Sequence, residues 1–291
     1  MFKNAILYQI TTPLPDCIDL NDALAKQPFT PCGATQEKSA GWVPPRGEEH
    51  GLLLEAIGSH WIAKFQIETK AVPGPVLQRH VDDRANKIEQ ATGRKPGKKE
   101  RRELKDLGML ELLPQAFPKR ASCWVWIDPV RCTLVIDTSS QARADDVVTS
   151  LVEAVPVLAL QMQSTAQTPS SAMAEWLVTQ EPPAGFSLGR ECELQAPDES
   201  KAVVKYGRHP LDIQEVQEHI KTGKQPTKLA MTWDDRVEFV LTEGMQLRKL
   251  AFLDVVTESQ DDSGFDADVA IFTGEMSKLL PDLINTLGGE A

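Results

Sequence analysis

The chain has 291 residues, 41% hydrophobic and 25% charged, with a formal net charge of −11. That suits a soluble globular body of one large or two ordinary domains, with a core of useful size. No apolar run approaches the ~20 residues that span a bilayer, and the opening MFKNAILYQI lacks the charged and apolar regions of a signal peptide, so a cytoplasmic location is expected. The five cysteines, Cys17, Cys32, Cys123, Cys132 and Cys192, are widely spaced and form no C-x-x-C, which argues against a disulfide framework and a zinc ribbon.

Ile6, Tyr8 and Ile10 alternate with Ala5 and Leu7, predicting a first strand with two apolar faces. A short helix is expected over Leu20–Lys26. The segment Phe29–Gly47 is rich in Pro and Gly and is expected to be irregular, pinned to the body by Phe29 and Trp42. Leu52–Glu68 alternates as one or two strands. After Pro75 the period lengthens to about 3.6, with Leu77, Val81, Arg84 or Ala85, and Ile88 on one stripe of a helix that Gly93 can close. Pro96-Gly97 forces a turn into a second helix, about Lys98–Leu113. Cys123–Asp128 and Thr133–Asp137 read as a β-hairpin, and Ala144 to Val155 as an amphipathic helix.

Pro156–Gln163 reads as a strand, and Thr168-Pro169 has the chemistry of a helix start. Glu181–Gly185, EPPAG, is the best candidate boundary between an N-terminal lobe, 1–180, carrying a basic helical region at 76–120, and a C-terminal lobe, 181–291. In the second half Phe186–Leu194 and Ala202–Tyr206 read as strands, and Asp212 with Glu215 as the capping box of a short helix. Thr227–Trp233, Val237–Thr242 and Gln246–Asp254 suggest an antiparallel meander. A polar loop at Glu258–Gly264, a strand at Val269–Thr273 and a helix from Met276 to Leu287, closed by Gly288-Gly289, complete the chain. The class is α+β, with antiparallel sheets, packed helices and a projecting basic helical hairpin.

Charge is unevenly distributed. Arg84–Arg120 holds eleven Lys or Arg against five Asp or Glu, a balance of +6, which leaves −17 on the remainder. Lys98, Arg101, Arg102 and Lys105 fall within about a third of the second helix's circumference, and Arg84 and Lys87 adjoin on the first. A merely solvated hairpin would interleave its signs more evenly, so the sorting favours a surface that neutralises phosphates without reading bases. These six cations are expected to face such a partner, with Arg94, Lys95, Lys99, Lys119 and Arg120 in the same basic region. A solvated face, or a regulator that grips a protein partner through the arm, are the alternatives.

Motifs of catalysis are scarce. Gly93–Lys99, GRKPGKK, has the wrong spacing for a phosphate loop and no Ser or Thr after its lysines. The histidines are dispersed, and Glu215 with His219 reads as a surface helix pair. Asp261, Asp262, Asp266 and Asp268 gather carboxylates as a metal-dependent nuclease would, yet sit where a solvated loop is expected and lack the pattern of a calcium loop. No cofactor, metal site or catalytic group is assigned.

Several segments occur in a recognisable order. They are FTPCG at Phe29–Gly33, GWVPP at Gly41–Pro45, Leu113-Pro114 with Ala116-Phe117, Trp126-Ile127-Asp128, Thr227-Lys228-Leu229-Ala230, Phe265-Asp266-Ala267-Asp268, Thr273-Gly274-Glu275 and Leu287-Gly288-Gly289-Glu290. Together they resemble the bacterial recombination-associated RdgC family from first strand to last helix. The resemblance implies a ring-shaped, non-enzymatic homodimer that is nucleoid-associated. It implies binding of double-stranded DNA without sequence preference, binding of single-stranded DNA, and restraint of RecA-promoted strand exchange. It also implies two dimer contacts, one including Phe117 and the other near Arg208 and His209. On sequence alone Phe117 reads equally well as an intramolecular core aromatic.

Overall fold

The computed structural model describes residues 2–257 and 264–291. The first half runs β1 (Asn4–Ile10), α1 (Cys17–Leu24), β2 (Lys38–Val43), β3 (Leu54–Ile57), β4 (His60–Lys70), α2 (Gly74–Thr92), α3 (Lys98–Leu112), β5 (Pro118–Asp128), β6 (Thr133–Ile136) and α4 (Gln141–Ala154). The second runs β7 (Leu160–Met162), α5 (Pro169–Thr179), β8 (Phe186–Gln195), β9 (Val203–Gly207), α6 (Gln214–Lys221), β10 (Gln225–Trp233), β11 (Val237–Thr242), β12 (Leu247–Phe252), α7 (Asp254–Thr257) and α8 (Phe265–Thr286).

The strands join into one hydrogen-bonded network in the order β2-β4-β5-β6-β1-β12-β11-β10-β8-β9, with β3 also on β4 and β7 also on β1. All of these pairings are antiparallel. The seam is β1. Its Ile6–Gln9 stretch pairs with β6, Asn4 and Ala5 pair with β12, and Tyr8–Ile10 pair with β7. Its alternation is that read from the sequence, because both faces are covered. Ile6, Tyr8 and Ile10 enter a core with α1 and α4, while Ala5 and Leu7 enter a second core with α5, α6 and α8. That second core draws on residues from Phe2 to Leu287. Its aromatic hub is Phe272, which stacks on Phe2 at 4.0 Å and meets Trp126 edge-on at 5.5 Å.

The meander β10–β11–β12, the β5–β6 hairpin and the Gly93 closure of α2 form as expected, with Gly93 in the left-handed region at φ 70°. Thr168 caps α5 by accepting from the Ser171 N–H, and Ala85 rather than Arg84 completes the buried stripe of α2. The expected strand Val269–Thr273 is instead the N-terminal half of α8, because Val269, Phe272, Thr273 and Met276 continue the i, i+3, i+4, i+7 stripe buried by the rest of that helix. The segment Phe29–Gly47 is not wholly irregular. It contains β2, whose Gly41 lets the chain at Phe29 pass so close that a Cβ there would lie 2.6 Å from Phe29 Cα. FTPCG and GWVPP are therefore mutually fitted, with Phe29 N–H donating to Trp42 O at 2.9 Å and Trp42 buried. Ile213, not Asp212, precedes α6, and no side chain caps it. Only Leu160–Met162 of the expected strand Pro156–Gln163 pairs. The end of Gln246–Asp254 turns into α7.

All five cysteines are free thiols, and burial pushes Cys123 and Cys192 up to about 12. Among the described residues no helix is long and apolar enough to cross a membrane. In the β8–β10 ladder, Glu193 accepts from Lys228 Nζ at 2.9 Å, Thr227 Oγ1 at 2.9 Å and Lys205 Nζ at 3.0 Å. Burial alone would raise this carboxyl, but the three donors outweigh it and hold the group at about 2. A depressed carboxyl stabilises the fold above its ordinary titration range and loses that contribution as pH falls towards the folded value. Urea unfolding of the Glu193→Gln variant should therefore show a deficit at neutral pH that shrinks between pH about 4.5 and about 2. A deficit that stays constant across that range would contradict the assignment.

Candidate functional site

The basic stretch forms α2, α3 and the start of β5, joined by a short left-handed closure and a 3₁₀ turn at Leu113–Gln115. The two helices meet where α3 presents Gly108 to Leu77 and His80 of α2. A Cβ at 108 would lie 3.0 Å from His80 Cδ2 and 3.2 Å from Leu77 Cδ1, so glycine sets how closely the helices approach. Glu100 accepts from the Gly97 N–H at 2.8 Å and closes the first turn of α3.

Carboxylates sort the eleven predicted cations into two groups. Arg84 donates to both oxygens of Glu111, at 2.7 and 2.6 Å, and His80 Nε2 lies 3.1 Å from the same carboxylate. Arg94 forks onto Glu100 at 2.6 and 3.0 Å, Arg101 reaches Asp82 at 3.2 Å, and Lys95 lies 3.9 Å from Glu89. Arg120 donates to Glu68 at 2.6 Å while its guanidinium lies over the Phe29 ring. Glu68 is buried. The Arg120 hydrogen bond, aided by the Cys32 N–H, holds its carboxyl below the usual range. Arg120 thus ties FTPCG to the sheet.

The other six, Lys87, Lys98, Lys99, Arg102, Lys105 and Lys119, are exposed and form no ion pair among the described residues. Lys98, Arg102 and Lys105, at i, i+4 and i+7, retain the stripe read from the sequence; Arg101 is drawn towards α2. Exposed Arg79 of α2 is also unpaired among the described residues, and counting from Arg84 overlooked it. Leu107 and Leu110 are half exposed on α3. Phe117 is 93% exposed, which removes its reading as an intramolecular core aromatic, whereas Leu113 of the same motif is buried. Arg208, at φ 55°, and His209 are both exposed at the end of β9.

The acidic candidates separate. Asp261 and Asp262, with most of the expected loop Glu258–Gly264, lie outside the described residues. Asp266 is bound by Arg46, which also pairs with Glu55 at 2.5 Å and lies over the Phe265 ring, fastening the start of α8. In α6, His219 Nδ1 lies 3.3 Å from Lys224 Nζ. Among the described residues no group of three or more His, Cys, Asp or Glu could hold a metal ion.

The fold is α+β, and six cations of one helix pair and the strand after it are exposed and form no ion pair among the described residues. The chain belongs to the RdgC family. The family model described as "Putative exonuclease, RdgC" matches residues 1–290. Proteins called "Recombination-associated protein RdgC" from Dechloromonas aromatica, Herminiimonas arsenicoxydans and Cupriavidus pinatubonensis are 40%, 41% and 41% identical, each alignment covering 99% of this chain and 98% of the relative.

The close approach at Gly108 yields a direct test. Gly108→Leu should destabilise the helix pair by about 1–3 kcal/mol through overpacking. Hydrogen exchange should quicken across 76–112 while β1 and β12 keep their protection. Equal loss of protection everywhere would show that the effect is not local.

Proposed function

We propose that this protein binds double-stranded DNA without sequence preference, and single-stranded DNA as well, through α2, α3 and the start of β5, which project from the body as a basic hairpin. The observation that carries this reading is the set of six exposed cations that form no ion pair among the described residues while neighbouring arginines are held by carboxylates. Such cations gain affinity by releasing counterions condensed on phosphates, a mode that needs no base contacts. The acidic remainder keeps the polyanion off other surfaces and maintains solubility.

Family membership supports the rest of the reading. Two copies pair through two separate contacts and close into a ring around DNA. Phe117 is free to enter a partner pocket at one contact, and Arg208 with His209 lies at the other. A protein so bound to DNA occupies the track that RecA-promoted strand exchange needs, which places it on the nucleoid as a restraint on recombination. The role is one of binding rather than catalysis, and the engagement of Asp266 by Arg46 favours a structural part for that carboxylate.

Replacing Lys87, Lys98, Arg102 and Lys105 with Gln should weaken unrelated duplexes equally. It should also flatten the slope of log K against log[salt] by about 0.9 for each phosphate no longer neutralised. Binding that is unchanged, or that appears only with an added protein partner, would favour the protein-directed regulator instead. Magnesium-dependent degradation of linear DNA that is abolished in Asp266→Asn would establish an enzyme. For the dimer, Phe117→Ala should lower the sedimentation coefficient at low protein concentration, whereas an unchanged coefficient would remove Phe117 from the interface.

A further inference from the structure

A cavity of about 290 Å³ lies where β1, β5 and the β5–β6 turn meet the C-terminal half of α8. Its size is at the lower end of small-molecule pockets. Leu7, Leu280, Pro281 and Ile284 supply apolar walls. Trp126 also lines it. The residue is 1% exposed, and its Nε1–H is buried with no hydrogen-bond partner among the described residues. A buried indole N–H without an acceptor is a donor awaiting one. Pro281 has no N–H, so the Ser277 carbonyl lacks the usual i+4 helical donor, and Ser277 and Pro281 both border the cavity. Gln163 and Asn285 add carboxamides that can donate or accept.

The lining holds one opposite-charge pair and one carboxylate that has no ion-pair partner among the described residues. Asp128 accepts from the Val130 and Arg131 N–H groups at 3.0 and 3.1 Å and faces the Arg131 guanidinium at 3.4 Å. Glu290 accepts from the neutral carboxamide of Gln9 at 2.9 Å and forms no ion pair among the described residues. A net anion would meet the Glu290 carboxylate, whereas a ligand with apolar faces and an edge bearing both donors and acceptors suits the apolar walls, the Trp126 Nε1–H, the carboxamides and the Glu290 carboxylate together. That is the chemistry of a nucleobase, read through its hydrogen-bonding edge between apolar side chains.

We propose that this cavity binds a single nucleobase, either as a free nucleoside or as an unpaired base on a strand. As a role for a DNA-binding protein the inference rests on the function proposed above, yet the two sites are physically separate. From Arg120 to Asp128 the strand β5 covers roughly 27 Å at the usual rise per residue.

The Trp126 Nε1–H resonance, assigned by its disappearance in Trp126→Phe, is followed by ¹⁵N–¹H NMR. The full chain is titrated with each of the four deoxynucleosides, with a mixed-sequence single-stranded hexamer, and with ribose 5-phosphate as a control. The expected result is a saturable shift with at least one nucleoside or with the hexamer, and none with the control. A shift from nucleosides identifies the free ligand as competent, and a shift from the hexamer alone identifies the strand-borne base. In Trp126→Phe, affinity measured by calorimetry should fall about tenfold, as for removal of one hydrogen bond. Asn285→Phe, at an exposed rim position, should occlude the mouth and abolish binding without perturbing the core. No shift with any base, a shift equal to that of the control, or a shift unchanged in Asn285→Phe would mean that the cavity holds only water and would overturn the proposal. Salt-dependent duplex binding is measured on the same samples. Its absence alongside intact base binding would sink the proposed function but leave the cavity site standing. Its persistence without base binding would do the reverse.

Discussion

Everything in this fold hangs on burying both faces and pairing both edges of one seven-residue strand. The strand β1 shares its ladder with β6 on one side and with β12 and β7 on the other. Its odd and even residues enter different cores. Neither core can form without it: α1 and α4 need Ile6, Tyr8 and Ile10, and α8 needs Ala5 and Leu7 beside Phe2. A strand so enclosed has its register fixed twice, since a slip of one residue would exchange the two apolar sets.

On this frame the electrostatics divide into fastening and free charge. Arg46, Arg84, Arg94, Arg101, Arg120 and Arg236 each hold a carboxylate, and the bidentate pairs exploit the planar guanidinium. The cations of the helix pair that form no ion pair among the described residues are mostly lysines. Lysine carries a compact, hydrated charge on a flexible stem and can track a phosphate without a fixed geometry, which suits a surface that does not discriminate sequence. Surface pairs contribute little to stability, so the arginine contacts matter chiefly for orienting α2, α3 and the start of α8.

Much of this was legible in the residues. The alternation in β1, the helix punctuation at Gly93 and Pro96-Gly97, and the apolar stripe of the last helix each follow from a local rule that tertiary packing respects. The misreadings have equally local causes. Val269-Ala270-Ile271-Phe272-Thr273 is rich in β-branched and aromatic residues and mimics a strand, but the longer stripe through Met276 and Leu280 prevails. Gly41 hides β2, because the glycine serves a close backbone crossing and does not break the strand. What periodicity could not reveal is which cations are already engaged. Arg101 and Arg102 are adjacent in sequence, yet only Arg101 meets a carboxylate among the described residues, on a partner nineteen positions away. The cavity beside Trp126 was equally invisible, since it is assembled from β1, β5 and α8.

The central place of β1 also orders events in time. This strand is made before every other element of the sheet, and its β12 partner, Leu247–Phe252, is the last of the strands. Phe2 stacks on Phe272, and Gln9 donates to Glu290 at the far end of the chain. The nascent strand can find β6 early, but much of its other edge and one apolar face stay open until β12 and α8 have been made. Long-range pairing of this kind slows folding and leaves a sticky edge exposed meanwhile. The short β7, which is made before β12 and pairs with Tyr8–Ile10, is placed to cover part of that edge during the wait.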